Sequence, residues 1–140
     1  MKAVLDTNVL VSGIFFGGVP RQVLDAWADG QFELFLSPSI FDEYTRTCER
    51  LSASHPNLGY QAVLATIVGH GTLVADLRGH DPITADPDDD KFMLCADRAG
   101  AKVISGDKHL LGASGWSGVE VLKPRDFLSL ASLRPGHVAD

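Results

Sequence analysis

The sequence predicts an α/β sandwich, a mostly parallel sheet covered by helices on both faces. Three observations carry the prediction. Short apolar runs recur along the chain without the polar alternation of a strand that has one wet face. Segments between them return apolar residues at helical spacing. Glycine, proline or an N-capping residue punctuates each change of period.

Lys2–Leu5 (KAVL) reads as a buried strand that ends in the polar Asp6-Thr7-Asn8, where the chain turns. Gly17-Gly18 is a loop, and Pro20 opens a helix through about Asp29, with Val23, Leu24, Trp27 and Ala28 at helical spacing and Gly30 as its stop. Phe32–Leu36 (FELFL) is the next strand. Ser37-Pro38 supplies an N-cap and a proline at the first helical position; that helix runs to about Leu51, with Ile40, Phe41, Tyr44, Cys48 and Leu51 on its core face. Asn57–Gly69 is a further helix, Thr72–Ala75 a short strand or connector, and Arg78–Ala85 a loop. The run Asp86-Pro87-Asp88-Asp89 starts a helix that carries Phe92, Met93, Ala96 and Ala99 on one side and stops at Gly100. Ala101–Ser105 (AKVIS) is a strand ending at Gly106-Asp107, followed by a helical turn at Lys108–Leu111, a strand at Val119–Leu122 and a helix at Pro124–Leu130. Residues 1–130 form the expected domain, and 131–140 are expected to be a flexible tail.

At 140 residues the chain accommodates one core and hence one active centre. A 45% hydrophobic and 21% charged composition excludes a disordered or membrane-spanning chain. The apolar stretch Val9–Val19 is broken by Ser12, Gly13, Gly17 and Gly18 and reads as part of the fold of a cytoplasmic protein. Cys48 and Cys95 fall in helical apolar patterns and read as reduced core residues. His55, His70, His80, His109 and His137 have no zinc-ligand spacing, and surface or loop positions account for them. A net charge of -6 argues against a broad duplex-binding face. It is compatible with a nuclease whose clustered carboxylates are offset by divalent cations.

Carboxylates at the carboxyl ends of strands in such a sheet are the natural reactive groups. Asp6 follows one apolar strand directly and Asp107 ends another. Each has a bland reading as a cap: Asp6 accepting from backbone N–H groups near Asn8 and Val9, Asp107 capping the Lys108–Leu111 turn. Glu43 lies at the border of a core face, and its bland reading is a solvated helical glutamate; Asp42 suits that role better. In the Asp86–Asp90 run, Asp86 is the natural cap ahead of Pro87 and Asp88 is solvated. Counting from Asp89 reaches Phe92, Met93, Ala96 and Ala99, so Asp89 begins the inward face; Asp90 is the second choice. Carboxylates sharing one crevice repel by about 4 kcal/mol per close pair at an effective dielectric of about 20, which calls for a cation. An all-oxygen set selects Mg2+ or Mn2+, one or two ions, and such a centre suits phosphodiester hydrolysis by activated water.

The segments LDTNVLVSG, SPSIFDEY, DPDDDKFMLCA and VISGDKHLL resemble, in order and spacing, the signature blocks of the PIN-domain family, and the resemblance covers Val4 to about Leu130. It implies a Rossmann-like, three-layer sandwich with about five parallel strands and metal-dependent cleavage of RNA. By motif, Asp6, Glu43, Asp89 and Asp107 take the catalytic and metal-site roles, with Asn8 and Ser105 supporting them by hydrogen bonds. SGD stands where the family more often has TRD, which is similar to a subgroup of toxin components of toxin–antitoxin pairs. The resemblance accordingly implies RNA as substrate, a small antitoxin as partner and pairing as a homodimer, with no membrane association. Arg46, Arg50, Lys91 and Lys108 flank the acidic positions as candidate phosphate contacts, and solvated surface charge is their bland reading.

The leading expectation is thus an endoribonuclease with Asp6 and Asp89 or Asp107 on the principal ion and Glu43 binding or activating water. Its rival is an RNA- or protein-binding module with little turnover, which has no reason to retain tight divalent binding. A phosphatase using Asp6 as nucleophile expects a second aspartate two residues on, where Asn8 stands.

Overall fold

The computed structural model describes residues 1–57 and 59–132. Five strands, β1 (Lys2–Leu5), β2 (Glu33–Leu36), β3 (Thr72–Leu73), β4 (Lys102–Ile104) and β5 (Val121–Leu122), form one sheet in the order β3-β2-β1-β4-β5. Every pairing is parallel, with Ala3 beside Leu34 on one flank and beside Lys102 on the other. The helices are α1 (Thr7–Phe15), α2 (Gly18–Ala28), α3 (Pro38–Ser52), α4 (Tyr60–His70), α5 (Asp90–Ala99), α6 (Lys108–Gly112) and α7 (Pro124–Ser132). Together they make a three-layer α/β sandwich, as the apolar strand runs require.

The central strand is the most deeply buried: Ala3, Val4 and Leu5 are fully enclosed, as are Val103 and Ile104 of β4. A parallel strand covered on both faces has no wet side, and this explains the unbroken apolar runs. The Tyr44 hydroxyl, fully buried on α3, donates to the Leu5 carbonyl at 2.6 Å and ties α3 to the end of β1. Cys48 and Cys95 are buried free thiols, and burial pushes them up to about 11 and about 12, respectively.

Three expectations change. Thr7–Phe15 is helical rather than a turn leading to a loop. Its residues Val9, Leu10, Val11, Gly13 and Ile14 are buried on several sides, so the segment lacks the polar face that reveals a helix in sequence. The expected single helix from Asp86 is divided: Pro87–Asp89 is a turn of 3-10 helix, and the α-helix begins at Asp90. Finally, α7 continues through Ser132, past the boundary expected at Leu130. The rest of the expected tail, 133–140, lies outside the described residues, as does Leu58 in the expected Asn57–Gly69 helix, of which Tyr60–His70 is observed. Among the described residues no helix is long and apolar enough to cross a membrane.

Candidate metal centre

The strand order reverses direction at β1: the chain proceeds from β1 to β2 and β3 on one side and returns to β4 and β5 on the other. At such a switch point the loops leaving neighbouring strands diverge and open a crevice. Asp6 and Asp107 leave β1 and β4 at that place. The two strand ends are joined by the Asp6 amide, which donates to the Ile104 carbonyl at 3.0 Å.

Asp6 is 5% exposed and does not cap α1 with its side chain. Its Oδ2 instead accepts from the Ser105 hydroxyl at 2.7 Å, while Ser105 Oγ accepts from the Asp107 amide at 2.9 Å. One buried hydroxyl therefore fixes both acidic positions. Burial pushes the Asp6 carboxyl above its ordinary value; the Ser105 hydrogen bond opposes this, and the negative charges of Asp107 and Glu43 add to it. Asp107 Oδ2 accepts from the His109 and Leu110 amides at 2.9 and 3.1 Å, so Asp107 is also the cap of α6. The capping reading is thus fulfilled for Asp107, while for Asp6 the Ser105 hydroxyl is the main partner and the Asn8 backbone N–H only a weak one.

Asp89 reaches the same crevice from the 3-10 turn. Burial, then the charges of Asp107, Asp6 and Asp86, push its carboxyl up to about 7, with side-chain hydrogen bonding to Asp107 the smallest contribution. Asp90 is different. It is 2% exposed, and its oxygens accept from the Thr84 amide at 2.9 Å and the Ile83 amide at 3.3 Å. Asp90 thus pins the preceding loop. The inward count from Asp89 fails because the 3-10 turn interrupts the 3.6-residue period, and the deeply buried carboxylate is the next one along.

Glu43 projects from α3, near enough to Asp6 to raise its pKa, and its Oε1 lies 2.5 Å from Lys91 Nζ of α5. The solvated reading of Glu43 gives way to a half-buried ion pair. Asn8 is exposed, and among the described residues its side chain makes no hydrogen bond to the carboxylates; only its backbone N–H lies toward Asp6. Its expected supporting role is therefore not seen, because helix α1 turns the side chain outward. Arg46 pairs with Asp42 on the outer face of α3, and Arg50 and Lys108 are exposed.

His109 joins the set without a sequence signal. One ligand atom each of Asp86, Asp89 and His109 lie within 4.8 Å of one another, and His109 Nδ1 is 3.9 Å from Asp107 Oδ2. The histidine belongs to no metal-ligand spacing and is brought in by α6 alone, which Asp107 caps. Beside Asp6, Thr7 Oγ1 is buried with no hydrogen-bond partner among the described residues.

The donor set fits a divalent cation. Burial raises Asp6 and Asp89 first and the charges of neighbouring carboxylates add to it, and the donors are hard oxygens with one imidazole nearby. Asp86, Asp89 and His109 are the residues whose ligand atoms lie close enough together to hold it.

Comparison with known sequences agrees with this architecture. An uncharacterized protein of Methanocaldococcus jannaschii is 28% identical over 114 residues, which cover 79% of this chain and 74% of the relative. The sequence model of the PIN domain matches residues 2–109, a span that takes in β1 through the start of α6 and every acidic position described above. This chain belongs to the PIN-domain family.

Proposed function

We propose that the protein is a divalent-metal-dependent endoribonuclease. The reading rests on Asp6 and Asp107 at the carboxyl ends of β1 and β4, at the switch point of the sheet, with Asp89 pushed up to about 7 by burial and then by the charges of Asp107, Asp6 and Asp86. Nuclease activity is general in the family; to it we add RNA as the substrate and Mg2+ or Mn2+ as the ion. A bound divalent ion supplies charge neutralisation for a phosphodiester and acidifies the attacking water. The protein supplies position. Ser105 keeps Asp6 and Asp107 in fixed register, and the α6 amides hold one oxygen of Asp107 so that the other remains available to the crevice. To Glu43, near enough to Asp6 to raise its pKa and paired through Oε1 with Lys91, we assign the role of binding or activating water. We assign the exposed Lys108, one residue beyond Asp107, to a phosphate of the bound strand.

An imidazole beside Asp86 and Asp89 favours Mn2+ over Mg2+, because nitrogen ligands suit the softer ion. A cleft of about 280 Å3 with a mixed polar and apolar lining reaches Lys91 and Asp88 and includes Ser37, Ser39, Asp76 and His80. It offers hydrogen-bonding groups to a nucleotide adjoining the scissile bond. Pairing with a small antitoxin is part of the same proposal.

The test is cleavage of RNA by wild type and Asp6→Asn, with Mn2+ or with EDTA. The expected result is cleavage by wild type with the metal only, and none by the variant although its circular dichroism is unchanged. Undiminished cleavage by the variant refutes the assignment.

A further inference from the structure

α1 and α3 leave the acidic centre side by side. Near it, Glu43 of α3 lies close enough to Asp6 to raise its pKa; at the far end the Phe16 and His55 rings meet edge to face, 5.1 Å between centroids. The Asn57 side chain ties the far ends together by donating to the Ile14 carbonyl at 2.9 Å. From Asp6 to Phe16 the helix rises by about 15 Å. Polar, cationic and aromatic groups follow one another along this path. On α1, which is otherwise largely buried, Asn8, Ser12 and Phe16 recur at every fourth position on the face that reaches solvent. On α3, Arg46 and Arg50 follow Glu43 at one-turn and two-turn spacing, and both are exposed. Phe16 is 60% exposed and is the one aromatic among the exposed large hydrophobic side chains of the described residues. Its ring lies 6.4 Å from that of Phe15, which stacks on Tyr60. Directly after it the chain turns through Gly17 and Gly18, both at positive φ, and a Cβ at Gly17 would meet nothing within 4 Å, so the space there is open.

We propose that Phe16 and His55 form a stacking platform for a nucleobase of single-stranded RNA, with Arg50 meeting the phosphate backbone between the platform and the acidic centre. This rests on the RNA-cleaving reading given above and specifies where the strand runs beyond the bond that is cut. An unpaired base presents a flat π face that an aromatic ring takes up whatever the sequence, whereas a duplex keeps its bases stacked on one another. The charges suit the backbone of such a strand. On a chain of net charge -6 the path carries two guanidinium groups; Arg46 is paired with Asp42, and Arg50 has no ion-pair partner among the described residues. A protein partner calls for a broad apolar face instead. The other exposed large hydrophobics, Met1, Val68, Leu73 and Leu77, lie on α4, on β3 or outside the helices, away from α1 and α3 in the chain, and leave Phe16 a single ring on a polar path.

The experiment measures, by fluorescence anisotropy in Mg2+, binding of the full-length protein to a labelled single-stranded 2′-O-methyl RNA of about twelve nucleotides, which resists cleavage. Phe16→Leu keeps the apolar bulk and removes the ring; it is expected to weaken binding by about fivefold to a hundredfold, while Phe16→Tyr stays within about threefold of wild type. Arg50→Gln is expected to weaken binding and to lower the slope of log Kd against log salt by about one. Single abasic residues scanned along the strand separate stacking from a structural effect: one position is expected to cost wild type affinity and to cost Phe16→Leu nothing. His55→Ala removes the other ring and gives an independent reading should circular dichroism show Phe16→Leu to be misfolded, with an expected loss of about threefold or more. Equal binding by wild type and folded Phe16→Leu, or identical abasic penalties in both, would overturn the platform and leave the RNA-cleaving reading standing. An altered oligomeric state of Phe16→Leu on size exclusion, with RNA affinity unchanged, would overturn it in favour of a protein contact. Wild type binding no single strand at all would overturn RNA as the substrate along with it, and that outcome is distinct from the others.

Discussion

Ser105 is the residue on which the acidic centre is hung, because a single hydroxyl donates to Asp6 and accepts from the Asp107 amide. Ser105→Ala leaves the enclosed Asp6 carboxylate without that donor, and the expected cost is about 1–3 kcal/mol. The penalty depends on pH. The hydrogen bond favours the ionised carboxyl, so its loss raises a folded-state value that burial has already raised above 3.8. Stability is then intact at low pH, where Asp6 is protonated, and lost as pH rises through the folded value. Chemical denaturation at pH 5 and pH 8 checks this, and an equal penalty at both would contradict it. Asp6 and Asp107 were legible as candidates because each sits at a strand end, and Ser105 through the family resemblance alone. His109 and the Lys91–Glu43 pair were not, since they depend on how α6 and α5 are rotated, which no local spacing encodes.

Elements were legible in proportion to how uneven their surroundings are. α3 announces itself by Ser37-Pro38 and one apolar stripe, and Ser37 Oγ does accept from the Ile40 amide. α1 is enclosed by α2, α3 and α4, and burial on several sides erases the period that would identify it. That enclosure makes Gly13 a contact point. A Cβ there would lie 2.8 Å from Leu24 Cδ1 and 2.9 Å from the Pro20 carbonyl oxygen, and the backbone atom has no room to yield. Gly13→Ala is therefore expected to lose about 1–3 kcal/mol from overpacking, more than the roughly 1 kcal/mol that helix propensity returns. A rise in the urea midpoint would show that the α1–α2 contact adjusts. At the start of α5 the 3-10 turn decides which aspartate faces the crevice and which is buried. Asp90→Ala frees the Ile83 and Thr84 amides from their shared acceptor. It is expected to destabilise by about 1–3 kcal/mol while metal affinity changes little. A selective loss of metal binding without loss of stability would exchange the roles of Asp89 and Asp90.

At the scale of the molecule, the parallel sheet follows from apolar strands alternating with helices, and this much could be read from the sequence before any coordinate. The strand order could not, because β1 and β4 are equally apolar and nothing local says that they are neighbours. Their adjacency is what creates the electrostatic tension of the fold, since it brings Asp107 against Asp6 and Asp89. A carboxyl whose folded value is raised from 3.8 to about 7 lends its full stability below about pH 4 and loses it as pH rises to about 7. In EDTA the protein should therefore melt lower at pH 8 than at pH 5, by on the order of 5 °C once the partial exposure of Asp89 is allowed for. Divalent cations reverse the preference, because they bind the ionised carboxylates; at about a hundredfold excess over Kd the gain is about 2.7 kcal/mol. With saturating Mn2+ the pH 8 melting temperature should rise to meet or exceed that at pH 5, with little effect of Mn2+ at pH 5. Thermal unfolding at both pH values, with EDTA and with Mn2+, measures the linkage directly. A pH trend indifferent to Mn2+ would mean that the acidic crevice carries its tension without holding a metal, and the proposed chemistry would have to be abandoned.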